Sequence, residues 1–182
     1  LPPRPSDTEP PVTENAGADG DVTGDAAEVI EPVPTFILPT DDGILGGKHD
    51  PTLQVFSPTM QDYRVHIGVD LATKENAPVY AAADGKISKI WVDTLMGYCI
   101  AIKHSGDCVT VYKNLAETLP EGIAEGVSVR SGQLIATVGE SAMVEIADEP
   151  HLHFEVLVDG KKVDPLDYIT KESKKASLGI EE

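Results

Sequence analysis

Between residues 78 and 158 apolar side chains recur at every second position in short runs, at 78–81, 86–92, 99–103, 108–112, 127–129, 134–138 and 152–158. An alternation of period two turns one face of a strand to a core and the other to water. Each run is closed by turn formers such as Asp84-Gly85, Ser105-Gly106-Asp107, Ser131-Gly132 and Asp159-Gly160. The spacing predicts many short antiparallel strands and so an all-β fold, a two-sheet antiparallel β-sandwich or barrel-sandwich hybrid. Asp159-Gly160 is expected to be a two-residue hairpin turn, because both positions tolerate positive φ. Helix is expected only over residues 114–123 and in the C-terminal tail. Cys99 and Cys108 fall on the two arms of the hairpin that turns at 105–107, four or five residues out of step. At about 3.3 Å per residue they are too far apart to bridge, and both are expected as reduced core or surface residues.

Composition changes this picture at the two ends. Residues 1–34 hold seven of the 14 prolines and eight acidic residues against one base, Arg4. Such a segment cannot bury enough surface to offset its ordering entropy, and it reads as an acidic, Pro-rich stalk or linker. Residues 171–182 carry three Lys and three Glu and read as a short helix or tail. The chain has a formal charge of −17, of which the stalk carries −7 and the tail none, so the domain expected at 35–170 carries −10. Nucleic-acid affinity rests on Lys and Arg displacing counterions, and this charge excludes nucleic acid as a ligand class. No stretch approaches the roughly 20 apolar residues that span a bilayer, and the start lacks the charged and apolar regions of a signal peptide. The first residue is Leu1 rather than Met. The expectation is a processed or truncated form that meets a membrane only through an anchor upstream.

Candidate chemistry rests on histidine. His151-Leu152-His153 opens a strand-like run, and alternation puts both imidazoles on one sheet face with Leu152 on the other. His66-Ile67-Gly68-Val69-Asp70 sets a carboxylate four residues after an imidazole, with Gly68 letting the chain curve between them. Neutral imidazole nitrogen and carboxylate oxygen suit Zn²⁺, and a catalytic zinc site keeps three protein ligands and one open position. Either motif alone is a common polar pattern. Weight comes from the blocks between them, in the order Ala77-Pro78-Val79-Tyr80-Ala81, Gly97-Tyr98-Cys99-Ile100, Val111-Tyr112-Lys113-Asn114-Leu115, Val129 to Gly139 and His151-Leu152-His153-Phe154-Glu155.

In that order the blocks resemble the LytM-type (M23) zinc endopeptidases, which cut peptide cross-links of bacterial peptidoglycan, over about residues 44–169. The resemblance implies one Zn²⁺ per chain on His66, Asp70 and His153, with His151 as a catalytic group beside the open position. It also implies peptidoglycan stem or cross-bridge peptides as substrates, at the cell envelope or surface. One departure matters. The family carries a second catalytic His in a Y-x-H-L segment, where this chain has Tyr112-Lys113-Asn114-Leu115. Asn114 can donate and accept hydrogen bonds but takes no proton at neutral pH. A narrower resemblance, carried by residues 56–66 and by Asp93-Thr94-Leu95-Met96-Gly97, is to the subgroup around the stage II sporulation protein Q of endospore formers. It implies an N-terminal membrane anchor, an altered active site and an envelope partner protein. Two functions are therefore set side by side: a zinc endopeptidase acting on peptidoglycan, and a catalytically weakened LytM domain that serves as a peptidoglycan-binding or partner-binding scaffold.

Other residues receive plainer readings. His104 is expected as a solvated hairpin-end residue. His49 is expected in a polar loop at 47–50, although linkers fold over the metal in some LytM relatives. Trp91 is expected to pack. Phe154 and Val156, which alternate with the histidines, are expected in the core, while Tyr63 and Tyr112 flank the metal motifs and are candidate substrate-groove residues. Residues 126–139 resemble the repeat of biotinyl and lipoyl carrier domains, but no Lys sits in the required hairpin context, so the likeness bears on fold alone. No G-x-G-x-x-G, P-loop or G-x-S-x-G occurs, which leaves nucleotide binding and serine hydrolysis without a handle.

Overall fold

The structure, a computed structural model, describes residues 31–174. Twelve strands follow in order: β1 (Ile44–Leu45), β2 (Asp50–Ser57), β3 (Asp62–His66), β4 (Val69–Ala72), β5 (Pro78–Tyr80), β6 (Gly85–Asp93), β7 (Gly97–Lys103), β8 (Cys108–Leu115), β9 (Ser128–Val129), β10 (Leu134–Thr137), β11 (His151–Val158) and β12 (Lys161–Val163). Among the described residues helix is limited to 3-10 turns at Met143–Glu145 and Pro165–Asp167 and one α-helical turn at Lys171–Ser173. None of these is long and apolar enough to cross a membrane.

The large sheet runs β1-β4-β11-β8-β7-β6-β9, with β12 also paired to β11, and every pairing is antiparallel. The antiparallel β5–β10 pair contributes Val79, Ile135 and Ala136 to the core that Ile100, Tyr112, Leu152 and Phe154 contribute from the large sheet. These two layers are the sandwich that the alternation predicts. The β2–β3 hairpin is additional to it, a two-stranded sheet of its own that leaves Leu53, Val55 and Tyr63 exposed. Asp159 and Gly160 both adopt positive φ, 50° and 71°, in the hairpin between β11 and β12, as that turn requires.

Several expectations are corrected. Residues 114–123 are not helical: β8 continues through Leu115, which is wholly buried and bridges Val138, and Pro120, Gly122 and Gly126 then break the chain into turns. Proline lacks the amide a helix needs, and the two glycines hold left-handed φ of 82° and 84°. The acidic stalk lies outside the described residues except for 31–34, and there packing begins earlier than expected. Val33 packs against the core and the Pro32 carbonyl accepts from Ser105 Oγ at 3.2 Å. The tail expected at 171–182 opens with the turn Lys171–Ser173, capped by Thr170 Oγ1, and residues 175–182 lie outside the described residues. His104 is buried rather than solvated. Its Nδ1 meets the Asp84 carbonyl at 2.7 Å, its Nε2 meets Thr110 Oγ1 at 2.8 Å, and its ring lies 5.4 Å from that of Phe36. Both cysteines are buried and free, and burial pushes each thiol up to about 11.

Candidate metal centre

The period-two pattern of β11 sends Leu152, Phe154 and Val156 into the core with no exposure and leaves His151, His153 and Glu155 on the opposite face. Pairing with β4 sets His153 directly across from Asp70. His66 ends β3 and reaches the same place because Gly68 turns the chain at a φ of +110°, where a Cβ would meet the Phe154 carbonyl at 2.7 Å and His153 Nε2 at 2.9 Å. One carboxylate thus faces two imidazoles. Asp70 Oδ1 lies 2.8 Å from His153 Nδ1 and Oδ2 lies 3.0 Å from His66 Nε2, while the two rings stand edge to face with centroids 5.1 Å apart.

The donor set fits a divalent metal ion. Ligand atoms of His66, Asp70, His153 and a fourth residue, Glu145, all lie within 4.8 Å of one another. Donors about 2.0–2.2 Å from a four-coordinate ion stand about 3.4 Å apart, so small movements bring this set to bonding distance. His66 Nε2 is buried and makes no hydrogen bond of acceptable geometry, an orphaned acceptor aimed into the cluster.

Each histidine is held by its outer nitrogen. The Nδ1–H of His66 donates to the Lys48 carbonyl (2.8 Å), which leaves Nε2 for the cluster. His153 Nε2 lies 3.3 Å from Glu155 Oε1, while its Nδ1 faces the cluster at Asp70 Oδ1 (2.8 Å). Glu155 is in turn held by Lys113 Nζ (2.5 Å) and Lys162 Nζ (3.0 Å). Carboxylate or carbonyl partners of this kind fix the tautomer and orientation of metal-binding histidines. Burial alone would lower the histidine pKa values, but the carboxylates prevail. His66 is raised by Asp70, and His153 is pushed up to about 9 by Asp70 and Glu155. Burial likewise opposes ionisation of the carboxyls, yet the histidines hold Asp70 far below the usual range, and His153 with Lys113 brings Glu155 down to about 2.

Asn114 has a structural occupation. It sits at a left-handed φ of 61°, a conformation asparagine tolerates, and its side chain is buried. Nδ2 donates to the His151 carbonyl (3.0 Å), and Oδ1 accepts from the amides of Ser141 and Ala142 (2.9 Å each). The amide is engaged at both ends and is a clamp between β8, β11 and the loop 141–150. That loop carries Glu145 to His151, whose Nε2 lies 3.1 Å from Glu145 Oε2 while its Nδ1–H donates to the Glu149 carbonyl (2.7 Å). Burial would lower the His151 pKa, but Glu145 and Asp70 hold it above its ordinary value. A small cleft of about 70 Å³ opens beside it, lined by Asn114, Glu145, Ile146, Asp148, Glu149 and His151.

The loop before β2 lies against the cluster. A Cβ on Gly47 would overlap Asp70 Oδ2 and stand 2.9 Å from His66 Cε1, so only glycine fits there. His49 Nδ1 accepts from the Gly68 amide (2.9 Å) and is not among the clustered donors. The expectation for Tyr112 is corrected: it is fully buried, its hydroxyl hydrogen-bonded to the Ala82 amide (2.8 Å) and Thr110 (3.1 Å), and it cannot line a groove. Tyr63 is exposed on β3, edge-on to Phe56. Sequence reasoning missed Glu145, since 141–150 has no periodicity to place a side chain, and it missed the Lys48 carbonyl. Glu155 was legible, being in step with His151 and His153.

The model of peptidase family M23 matches residues 64–165. Among curated proteins, the chain is 33% identical over 109 residues to the DD-carboxypeptidase/endopeptidase Mpg of Neisseria meningitidis, covering 60% of this chain and 24% of that protein. It is 31% identical over 111 residues to the stage II sporulation protein Q of Bacillus subtilis, covering 60% of this chain and 38% of that protein. The chain therefore spans well under half the length of either relative. A solved structure of a zinc containing peptidase from Vibrio cholerae is similar at a TM-score of 0.61 and 30% identity, over 72% of this chain and 39% of that one. A chain of the SpoIIQ-SpoIIIAH pore forming complex is similar at a TM-score of 0.63 and 25% identity, over 76% of this chain and 92% of that one.

Proposed function

The chain belongs to peptidase family M23, and from that premise we propose that it is a zinc-holding domain of the cell envelope that engages peptidoglycan peptides or an envelope partner while hydrolysing peptide slowly. The observation that carries this reading is Asn114. At the place where the family resemblance leads one to expect a second catalytic His, the side chain has every polar atom committed to holding the loop 141–150 and β11. Loss of one general acid or base typically costs about 10²–10⁴-fold in rate.

Zinc is supported by the two imidazoles and one carboxylate on His66, Asp70 and His153, and by the likeness to a zinc containing peptidase. A dication there supplies positive charge that polarises a peptide carbonyl and acidifies water. His66, Asp70 and His153 hold it, with Lys48 and Glu155 fixing the two rings. His151 lies beside the cluster with its Nε2 3.1 Å from Glu145 Oε2. The likenesses to stage II sporulation protein Q and to a chain of a two-protein complex support a partner protein, and the same relatives support an envelope location. A membrane contact, in this reading, comes through an anchor outside the domain.

A second reading is favoured by His151 itself. It is buried beside the cluster with its Nε2 at a carboxylate, an arrangement able to move a proton, and this fits a zinc endopeptidase of peptidoglycan stem or cross-bridge peptides with Tyr63 at its groove. Digestion of purified peptidoglycan separates the two, with the Mpg relative as standard. The scaffold reading expects zinc-loaded protein to sediment with the wall material and to release peptides at least about 10²-fold more slowly than the standard. Comparable release would establish the endopeptidase.

A further inference from the structure

Glu145 contributes a donor to the cluster that the histidine and aspartate motifs do not account for. Its Oε1 lies 3.8 Å from His153 Nδ1 and its Oε2 lies 3.1 Å from His151 Nε2, so one carboxylate spans the metal-binding histidine and its neighbour. Its side chain retains 14% of its exposure, and it stands in the one group of clustered metal donors found among the described residues. Its position is built rather than casual. It ends the 3-10 turn Met143–Glu145, whose approach is pinned by Asn114 through the amides of Ser141 and Ala142, while the Val144 amide donates to the Leu95 carbonyl (3.2 Å) and the turn closes from the Glu145 amide to the Ala142 carbonyl (3.2 Å). The residue that stands where a catalytic His is expected thus steers a carboxylate to the face where an open metal position is expected.

We propose that Glu145 is a fourth protein ligand, so that the metal site is closed by the chain itself and clamps the loop 141–150 to β4 and β11. This rests on the reading that His66, Asp70 and His153 hold zinc. Structural zinc sites are closed by four protein ligands, whereas catalytic ones keep a position for water or substrate. A closed site explains in one stroke why the loop is anchored by Asn114 and why a proton-transferring His is dispensable there.

The test compares wild type, Glu145→Gln and Glu145→Ala by competition for Zn²⁺ with a chromophoric chelator, and by the visible spectrum of the Co²⁺-loaded proteins with and without acetohydroxamate, a small chelating anion that needs an open position. The expected result is a loss of zinc affinity of at least about 10-fold in both variants, the order attributed even to outer partners of metal ligands. Acetohydroxamate should shift the Co²⁺ spectrum of the variants at concentrations that leave the wild type unchanged. Equal affinities and equally responsive spectra in all three proteins would overturn the proposal. So would a Gln variant that matches the wild type while Ala alone is weakened, since that pattern means Glu145 acts through its hydrogen bond to His151. A wild type that takes up no Zn²⁺ or Co²⁺ would instead overturn the reading of the site beneath it.

Discussion

His104 and His153 are nearly equally buried, at 6% and 3% exposure, yet their surroundings pull them in opposite directions. His104 is enclosed by a carbonyl, a hydroxyl and the Phe36 ring, and burial depresses its pKa so that it stays neutral. His153 faces Asp70, Glu145 and Glu155, and the three carboxylates outweigh a similar burial and raise it to about 9. A histidine that serves packing is satisfied by neutral partners. A histidine that serves a cation is held among negative charges in excess of its own, and burial does not tell the two apart. That excess would suit a dication, whose charge Asp70, Glu145 and Glu155 would meet with carboxylate.

That contrast can be broken most severely at Asp70, which touches both imidazoles. Structural zinc sites of four ligands contribute about 10–16 kcal/mol, or about 3–4 kcal/mol per ligand, so Asp70→Ala should weaken zinc binding on the order of 10²–10³-fold in chelator competition. His104→Ala should do the reverse. Zinc affinity stays unchanged while denaturant melts show a loss of about 2–4 kcal/mol, because the Asp84 carbonyl and Thr110 hydroxyl lose their partner in a packed core. Glu155→Gln removes the charge behind His153 without touching the cluster, and an outer partner of this kind is worth about 10–100-fold in metal affinity. The pH dependence of the metal-free protein sharpens the same contrast. His153 has a folded pKa above its unfolded one, so the stability it lends is fully present below about 6.5 and is lost as pH rises through about 9. His104 has a depressed folded pKa, so its contribution is present above about 6.5 and is lost as pH falls through the lower folded value. Thermal melts across pH 5–9 should show the gap between wild type and His153→Asn closing toward pH 9, and that between wild type and His104→Asn closing toward pH 5.

The comparison also shows what sequence can reveal. Period-two alternation was enough to set His151 and His153 on one face and Phe154 and Val156 in the core, because a strand leaves no choice of side. It was also enough to place a hairpin at Asp159-Gly160, since turn chemistry is local. It could not distinguish His104 from a solvated residue. His104 flanks a turn, and its burial depends on Phe36, nearly seventy positions away in the chain. Tyr112 failed for a related reason: its neighbours in sequence belong to the site, but its own face of β8 belongs to the core. The helix expected over 114–123 was overridden by the pairing of β8 and by Pro120. Glu145 and the clamp made by Asn114 were invisible because an aperiodic loop acquires its direction only from tertiary hydrogen bonds.

If the cluster on His66, Asp70 and His153 holds one metal ion, His104 should have no part in holding it. Metal content of the purified protein, after dialysis against Zn²⁺ and then buffer, tests this most directly in wild type, His153→Ala and His104→Ala. About one zinc per chain is expected in the wild type and in His104→Ala and none in His153→Ala; a metal-free wild type, or equal loss of zinc in both variants, would overturn the metal assignment.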